Sequence, residues 1–297
     1  MSKTMSVGRP LSAWLCCLLA STILTGGCAT HLTQKQYDTA RINYDLGIAS
    51  LNKGDTQEAL RALLLAVAAN PELPQPYNAL GLVMHTLGKD AEALKYYRTA
   101  LTLQPNFSEA SNNMGILLLD TGDPHAAIAS FRTALSNILY TTPYLAEGNM
   151  GWAYYKLGDL PQALEHINAA VAAQPRFCRG YEWLARIALE QNNSESAREM
   201  VLQSRRFVRH CLEDPVIATT IAADYRREMQ YYLGLGQLKL GRKKLAAQQF
   251  SQCARGFDKN LYSHDGQGDG EDESEERNGR MSGFARKCAH AAQRLAN

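Results

Sequence analysis

The sequence lacks a charge excess and a long hydrophobic run. Its 297 residues include 31 basic and 29 acidic side chains, which gives a formal charge of +2. Lys3 and Arg9 account for that excess, because the first 27 residues contain no acid. Without a basic stripe the chain is not expected to bind nucleic acid. The apolar stretch Leu11–Leu24 has 14 residues, fewer than a membrane-spanning helix needs.

Motifs that would support catalysis or metal binding are also missing. The chain has no Gly-x-Ser-x-Gly, no His-Glu-x-x-His and no phosphate-binding loop, and its seven histidines are scattered. It has no Cys-x-x-Cys, so a zinc site is not expected. The acids Asp265, Asp269 and Asp272 do not follow the spacing of an EF-hand calcium loop. We therefore expect no enzyme, no cofactor, no metal and no small-molecule substrate, and a function that consists of binding.

The sequence does contain a long internal repeat. A glycine recurs at spacings of 34, 34 and 36 residues, at Gly47, Gly81, Gly115 and Gly151. A second glycine follows seven residues later, at Gly54, Gly88, Gly122 and Gly158. A large apolar residue comes next, at Leu63, Tyr97, Phe131 and Ile167, with an alanine four residues before it and another three residues after it. Proline closes three of the four copies, at Pro71, Pro105 and Pro175.

This combination resembles the tetratricopeptide repeat (TPR), in which each unit forms two antiparallel helices. Glycine and alanine let the helix backbones approach, the large residue fills the space between them, and proline ends the second helix. Units of this kind stack into a superhelix. We predict an all-α TPR solenoid of about six helix-turn-helix units with a short C-terminal capping helix. The alternative is an ordinary amphipathic bundle, which would not keep these residues in register.

The repeat divides the chain into segments. We predict a signal peptide over 1–27, a lipidated N-terminus and short tether over 28–39, and four regular units over 40–177. Two degenerate units follow over 178–260, with an interruption at 212–226. The last segments are an acidic disordered linker over 261–280, which has no apolar residue in 263–280, and a C-terminal helix over 281–297.

The first 28 residues resemble a bacterial lipoprotein signal. A positively charged end precedes the apolar stretch, and Thr25, Gly26 and Gly27 lead to Cys28 as small residues lead to the acylated cysteine of a lipobox. We predict that Cys28 is lipidated, and that palmitate-type acyl chains hold the protein on the periplasmic face of the outer membrane. The alternative is a soluble periplasmic protein released by an ordinary signal peptidase.

Four cysteines remain after Cys28, and an even number in an exported chain favours disulfides. Cys178 begins and Cys211 ends the fifth unit, and the ends of an antiparallel hairpin meet, so this pair is favoured among three connectivities. Cys253 and Cys288 would then attach the terminal helix across the acidic linker. The alternative is four free buried thiols.

The partner-binding residues are expected on the concave face, which the first helix of every unit lines. The inward positions of the repeat are Tyr44, Asn78, Asn112, Asn113, Asn149, Trp152, Tyr155, Lys156, Glu182 and Arg186. Amides can bond to an extended peptide and aromatics add apolar area. Alternatively, the asparagines bond only to the backbone of the neighbouring repeat. A second candidate surface has Ile48, Tyr77 and Leu82 as anchors.

A lipobox, a short spacer and TPR units from about residue 40 together resemble the type IV pilus biogenesis lipoproteins, the secretin pilotins of the PilF/PilW/Tgl type. The extra Thr142-Pro143 before Asn149-Met150-Gly151 also resembles that family's lengthened loop. The resemblance implies an outer-membrane protein that binds secretin subunits and promotes their localisation and multimerisation for pilus assembly. The alternatives are a general periplasmic adaptor for cell-wall enzymes and a subunit for outer-membrane assembly.

Overall fold

The computed structural model describes residues 32–191, 193–207, 210–211, 223–254 and 273–296. The predicted signal peptide, Cys28 and most of the interruption at 212–226 lie outside these residues, as does the linker before residue 273. The described parts form thirteen α-helices and no strand. The predicted all-α class is therefore confirmed.

Twelve of the helices form six antiparallel pairs, one for each predicted unit. The first four pairs are α1 and α2 (Gln34–Asn52, Thr56–Ala69), α3 and α4 (Pro74–Thr86, Asp90–Leu103), α5 and α6 (Ser108–Asp120, Pro124–Ser136), and α7 and α8 (Pro143–Lys156, Leu160–Ala173). The last two pairs are α9 and α10 (Cys178–Gln191, Ser194–Phe207), and α11 and α12 (Ala223–Lys239, Lys243–Cys253). Helix α13 (Glu273–Ala296) packs on α11 and α12.

The turn inside each regular unit depends on its second glycine. Gly122, between α5 and α6, has a φ of +87°, a left-handed conformation that costs glycine nothing. The next residue, Asp123, accepts a hydrogen bond from the Ala126 backbone N–H at 3.0 Å and so caps α6. Asp55 and Asp159 cap α2 and α8 in the same way. The chain therefore reverses in a few residues.

The two helices of a unit touch where the first glycine faces the large apolar residue. A Cβ atom added at Gly115 would lie 2.5 Å from Cε1 of Phe131, whose side chain is fully buried. Gly81 faces Tyr97 in the same way, and Gly234 faces Phe250 in the degenerate sixth unit. The small-to-large contact predicted from the repeat therefore extends to the last helix pair.

Two predicted boundaries are wrong. Helix α1 begins at Gln34, six residues before the first predicted unit, because Thr33 and Gln36 form a capping box that starts the helix early. Helix α13 begins at Glu273, so residues 273–280 belong to a helix and not to the predicted disordered linker. That stretch lacks apolar residues, but glutamate is a good helix former and its carboxylate is favoured near a helix N-terminus.

Two disulfides join the four cysteines. Cys178 at the start of α9 is bonded to Cys211 just beyond α10, with a Cα–Cα distance of 6.0 Å. Cys253 at the end of α12 is bonded to Cys288 in α13, with a Cα–Cα distance of 5.8 Å. Both sulfur pairs follow the arrangement that the sequence favoured. The second bond fastens α13 to the last helix pair, where Phe284 also packs against Tyr231.

Replacing Gly115 with alanine should destabilise the protein, although alanine favours a helix by about 1 kcal/mol. The new methyl group collides with the buried Phe131 ring, and such overpacking costs about 1–3 kcal/mol. We expect a net loss of up to about 2 kcal/mol in the free energy of unfolding, measured by urea denaturation. The matched control is Gly283→Ala in α13, where an added Cβ meets nothing within 4 Å. Equal effects of the two substitutions would contradict the packing argument.

Replacing Cys253 and Cys288 together with alanine should lower the stability of the C-terminal helices. The bond closes a loop between residues 35 positions apart, and a closure of that length contributes about 3–4 kcal/mol in the chain-entropy model. The measurement is the urea midpoint of the oxidised wild type against that of the variant. Thiol titration of the unfolded, unreduced wild type is the control and should detect none of the four cysteines. An unchanged midpoint would show that the bond has no structural role.

Candidate functional site

The predicted concave-face residues lie on the first helices of successive units. Tyr44 is on α1, Asn78 on α3, and Asn112 and Asn113 on α5. Three more are on α7 and one on α9, namely Asn149, Trp152, Tyr155 and Arg186. The structure brings these residues into three groups: an aromatic cluster between α7 and α9, a set of amide pairs across α3, α5 and α7, and Tyr44 beside a depression at the N-terminal end.

The aromatic cluster is centred on Trp152. Its ring is stacked on Tyr155, with centroids 4.5 Å apart, and on Trp183 from α9, with centroids 5.3 Å apart and planes 9° apart. Trp183 is only 5% exposed and is in edge contact with Phe177. Trp152 and Tyr155 are half-buried and therefore still present surface to solvent. The core of the fourth and fifth units thus supports an aromatic surface on the concave face.

Two cations lie close to the Trp152 ring, and a carboxylate binds the neighbouring Tyr155. Lys156 Nζ lies 5.4 Å and Arg186 Cζ 5.3 Å from the centroid of Trp152, distances at which the ring quadrupole attracts a positive charge. The Tyr155 hydroxyl donates a hydrogen bond to Glu190 Oε1. Burial, together with this carboxylate, raises the pKa of Tyr155 to about 12, so its hydroxyl stays protonated and remains a donor. We call Trp152, Tyr155, Lys156, Trp183 and Arg186 the Trp152 cluster.

The asparagines form bonds between neighbouring units. The side-chain amide of Asn113 donates to Asn78 Oδ1 at 3.0 Å, and that of Asn149 donates to Asn112 Oδ1 at 3.0 Å. The acceptors are side chains, so the alternative that they bond to the neighbouring backbone does not describe these two contacts. Asn112 is only 5% exposed and has little surface for a ligand. The other three are half-buried and can still offer an amide group.

Sequence reasoning missed Trp183 and placed Glu182 on the concave face. Glu182 is 8% exposed and presents little surface, whereas Trp183 completes the stack under Trp152. The sequence did indicate Trp183, because it occupies the sixth position of its unit, the same inward position that Asn113 occupies in the third unit. The second candidate surface is only partly exposed. Ile48 packs against buried apolar residues of the first units, and the Tyr77 hydroxyl donates a hydrogen bond to the Pro71 carbonyl at 3.1 Å. Of the three residues only Leu82 is exposed, at 42%.

Tyr44 lines an open depression of about 690 Å³ at the start of the solenoid. The lining includes Tyr37, Arg41 and Asp45 of α1, and Gln75 of α3. Burial and the neighbouring Asp45 and Glu109 carboxylates raise the pKa of Tyr44. In contrast to the Trp152 cluster, this depression has no stacked aromatic pair.

Within the described residues, no group of three metal-binding side chains comes together, and no helix has the length and apolarity to cross a membrane. What the described residues do form is a stack of helix pairs with an aromatic and charged inner face. This arrangement defines a helical-repeat scaffold for protein–protein interaction.

Sequence profiles described as tetratricopeptide repeat match residues 30–75, 44–106 and 149–206, and a second such profile matches 108–137. Together they cover more than half of the chain, which therefore belongs to the tetratricopeptide-repeat family. A 57-residue stretch is 35% identical to the photosystem I assembly protein Ycf3 of Cuscuta gronovii, and covers 19% of this chain and 34% of Ycf3. The chain therefore matches about a third of that relative's length.

Two solved structures share the fold over most of its length. One is PilW, described as a widely conserved type IV pilus biogenesis factor, with a TM-score of 0.62 and 21% identity over 76% of this chain and 95% of PilW. The other is PilF of Pseudomonas aeruginosa, with a TM-score of 0.56 and 18% identity over 78% of this chain and 96% of PilF. At these identities the likeness establishes the fold.

Replacing Asp120 with asparagine should make the stability of the protein less dependent on pH. Nε2 of His85 lies 3.4 Å from Asp120 Oδ2, and this hydrogen bond raises the pKa of His85 while burial opposes it. A raised folded-state pKa stabilises the protein below the unfolded value of about 6.5, and the contribution is lost as pH rises through the folded value. NMR titration of His85 should give a lower pKa in Asp120→Asn. Glu109→Gln, on the same helix, is the control, and an unchanged titration of His85 in Asp120→Asn would contradict the assignment.

Proposed function

We propose that this protein is an outer-membrane TPR lipoprotein that binds secretin subunits and promotes their localisation and multimerisation for type IV pilus assembly. Acylation of Cys28 anchors it to the periplasmic face of that membrane. The observation that carries the binding role is the Trp152 cluster, an aromatic surface on the concave face of the solenoid.

The chemistry of the cluster suits a protein partner. Tryptophan, tyrosine and arginine are enriched among the residues that dominate binding energy at interfaces. Trp152 and Tyr155 are already stacked, so little side-chain freedom is lost when a partner covers them. Lys156 and Arg186 add positive charge at the rim, where a carboxylate or backbone carbonyl of an extended segment can bind.

The cysteines support the proposed compartment. Disulfides form and persist in oxidising compartments, and the bacterial periplasm is such a place, so the two bonds fit an exported protein. A lipobox at Thr25–Cys28 fits the same route of export. PilW and PilF, whose fold this chain shares over nearly their whole length, suggest the pilus as the setting.

The anchor and the solenoid would act together. Confinement to the membrane raises the effective concentration of the concave face for a partner at the same surface. Each secretin subunit would bind through an exposed segment and be held there until neighbouring subunits join it. The contribution of the protein is to position subunits, and no covalent step is involved.

Trp152→Ala should reduce the recovery of secretin subunits with the protein and reduce heat-resistant secretin multimers in cells that carry only the variant. Loss of a central aromatic anchor of this kind weakens binding by about 2 kcal/mol or more, roughly 30-fold in affinity. The measurements are co-purification from membranes and gel analysis of the secretin. Leu65→Ala, at a side chain 52% exposed on the second helix of the first unit, is the matched control.

A deletion strain tests the whole proposal. Normal secretin multimers and normal piliation without the protein would overturn it. Co-purification of cell-wall enzymes in place of secretin would support the general adaptor, and depletion of outer-membrane barrels would support a role in barrel assembly.

A further inference from the structure

The loop between α6 and α7 presents two large apolar side chains to water. Ile138 is 96% exposed and Leu139 is 78% exposed. Among the large apolar side chains of the described residues, these two have the highest exposed fractions. The other loops between units, at 70–73, 104–107 and 174–177, each contain a single large apolar residue, which is at least partly buried.

The loop holds these side chains in fixed positions. The Asn137 amide donates to the Asn106 carbonyl at 3.0 Å and to Ser108 Oγ at 3.1 Å, which ties the loop to the preceding unit. Asn137 Oδ1 accepts the Leu139 backbone N–H at 3.0 Å. Tyr140, which is only 8% exposed, anchors the other side of the turn. Ile138 and Leu139 therefore project from a turn that is fastened at both sides.

The antiparallel pairing places this loop on a particular edge of the solenoid. The second helix of each unit ends where the first helix of the next begins, so the loops 70–73, 104–107, 137–142 and 174–177 share one edge. The start of α1 at Gln34 is on the same edge. We call it the loop edge. The chain that leads back from Gln34 to Cys28 therefore joins the solenoid on the edge that carries Ile138 and Leu139.

The two edges differ in charge. The four loops of the loop edge carry only Glu72 and Arg176 as charged residues. On the opposite edge, every turn inside a regular unit carries at least one charge, including Asp55, Lys89, Asp123 and Asp159. Moving charged groups out of water is costly, so the loop edge is the one that can approach an apolar medium.

We propose that Ile138 and Leu139 insert into the lipid surface beside the acyl anchor and form a second membrane contact. This inference rests on the proposed lipidation of Cys28. Gln34 lies six residues after Cys28 in the sequence, which limits the distance between anchor and solenoid to about 22 Å. Aliphatic side chains on the edge where the anchor joins the solenoid lose contact with water by entering the acyl boundary. Two contacts restrict the orientation of the solenoid more than a single attachment does.

A fluorescent label at position 138 tests this contact. In Ile138→Cys the new thiol is the only free one, because four cysteines are paired and Cys28 is acylated in the proposed mature protein. The lipidated full chain is reconstituted in phosphatidylethanolamine–phosphatidylglycerol vesicles and labelled with a polarity-sensitive dye. We expect a blue-shifted emission that acyl-chain nitroxide quenches. The matched control, Lys89→Cys on the opposite edge, should retain the emission of a label in water.

The outcomes separate this inference from the proposed function. If the protein floats with the vesicles but the label at 138 stays in water, the second contact is refuted and the anchor stands. If the protein does not float, the anchor is refuted and this inference with it. A label that leaves water only when secretin subunits are added would assign the loop to the partner and overturn the lipid contact. Ile138→Ser with Leu139→Ser, at exposed positions, should keep the thermal midpoint and remove the quenching of a label at Thr141→Cys.

Discussion

The structure depends on the close approach of two helix backbones at a glycine. Wherever a first-helix glycine faces Leu63, Tyr97, Phe131, Ile167 or Phe250, an added Cβ would fall within 2.7 Å of the large side chain. That contact determines how the two helices of a unit cross. Because the second helix of each unit packs on the first helix of the next, this crossing also influences the course of the solenoid and which residues line its concave face.

The sequence predicted the parts of the fold that local contacts decide. Glycine, alanine and proline recur at fixed spacings because each unit solves the same packing problem, so the helix pairs could be located without a structure. Cys178 and Cys211 could be paired because the ends of one hairpin must meet. The start of α13 at Glu273 could not be predicted in this way. A rule that infers disorder from composition counts the missing apolar residues and ignores helix propensity.

The binding surface was harder to predict, because it depends on contacts between units. The repeat register identified Trp152 as a concave-face residue. Its stacking on the ring of Trp183 from α9 depends on how the fifth unit is rotated relative to the fourth. The bonds from Asn113 to Asn78 and from Asn149 to Asn112 depend on the same rotation. The middle of the concave face is therefore polar and joined by side-chain hydrogen bonds, whereas the part toward α9 is aromatic. This difference favours the aromatic part as the place where a partner binds.

The Cys253–Cys288 bond turns the stretch between these two residues into a covalently closed ring. A protease that cuts the backbone once anywhere inside this ring does not divide the molecule, because the sulfur bridge still joins the two sides of the cut. Helix α13 would then stay on α11 and α12 as a separate polypeptide, detectable only after reduction. A single cut in the acidic segment would therefore leave the end of the core attached.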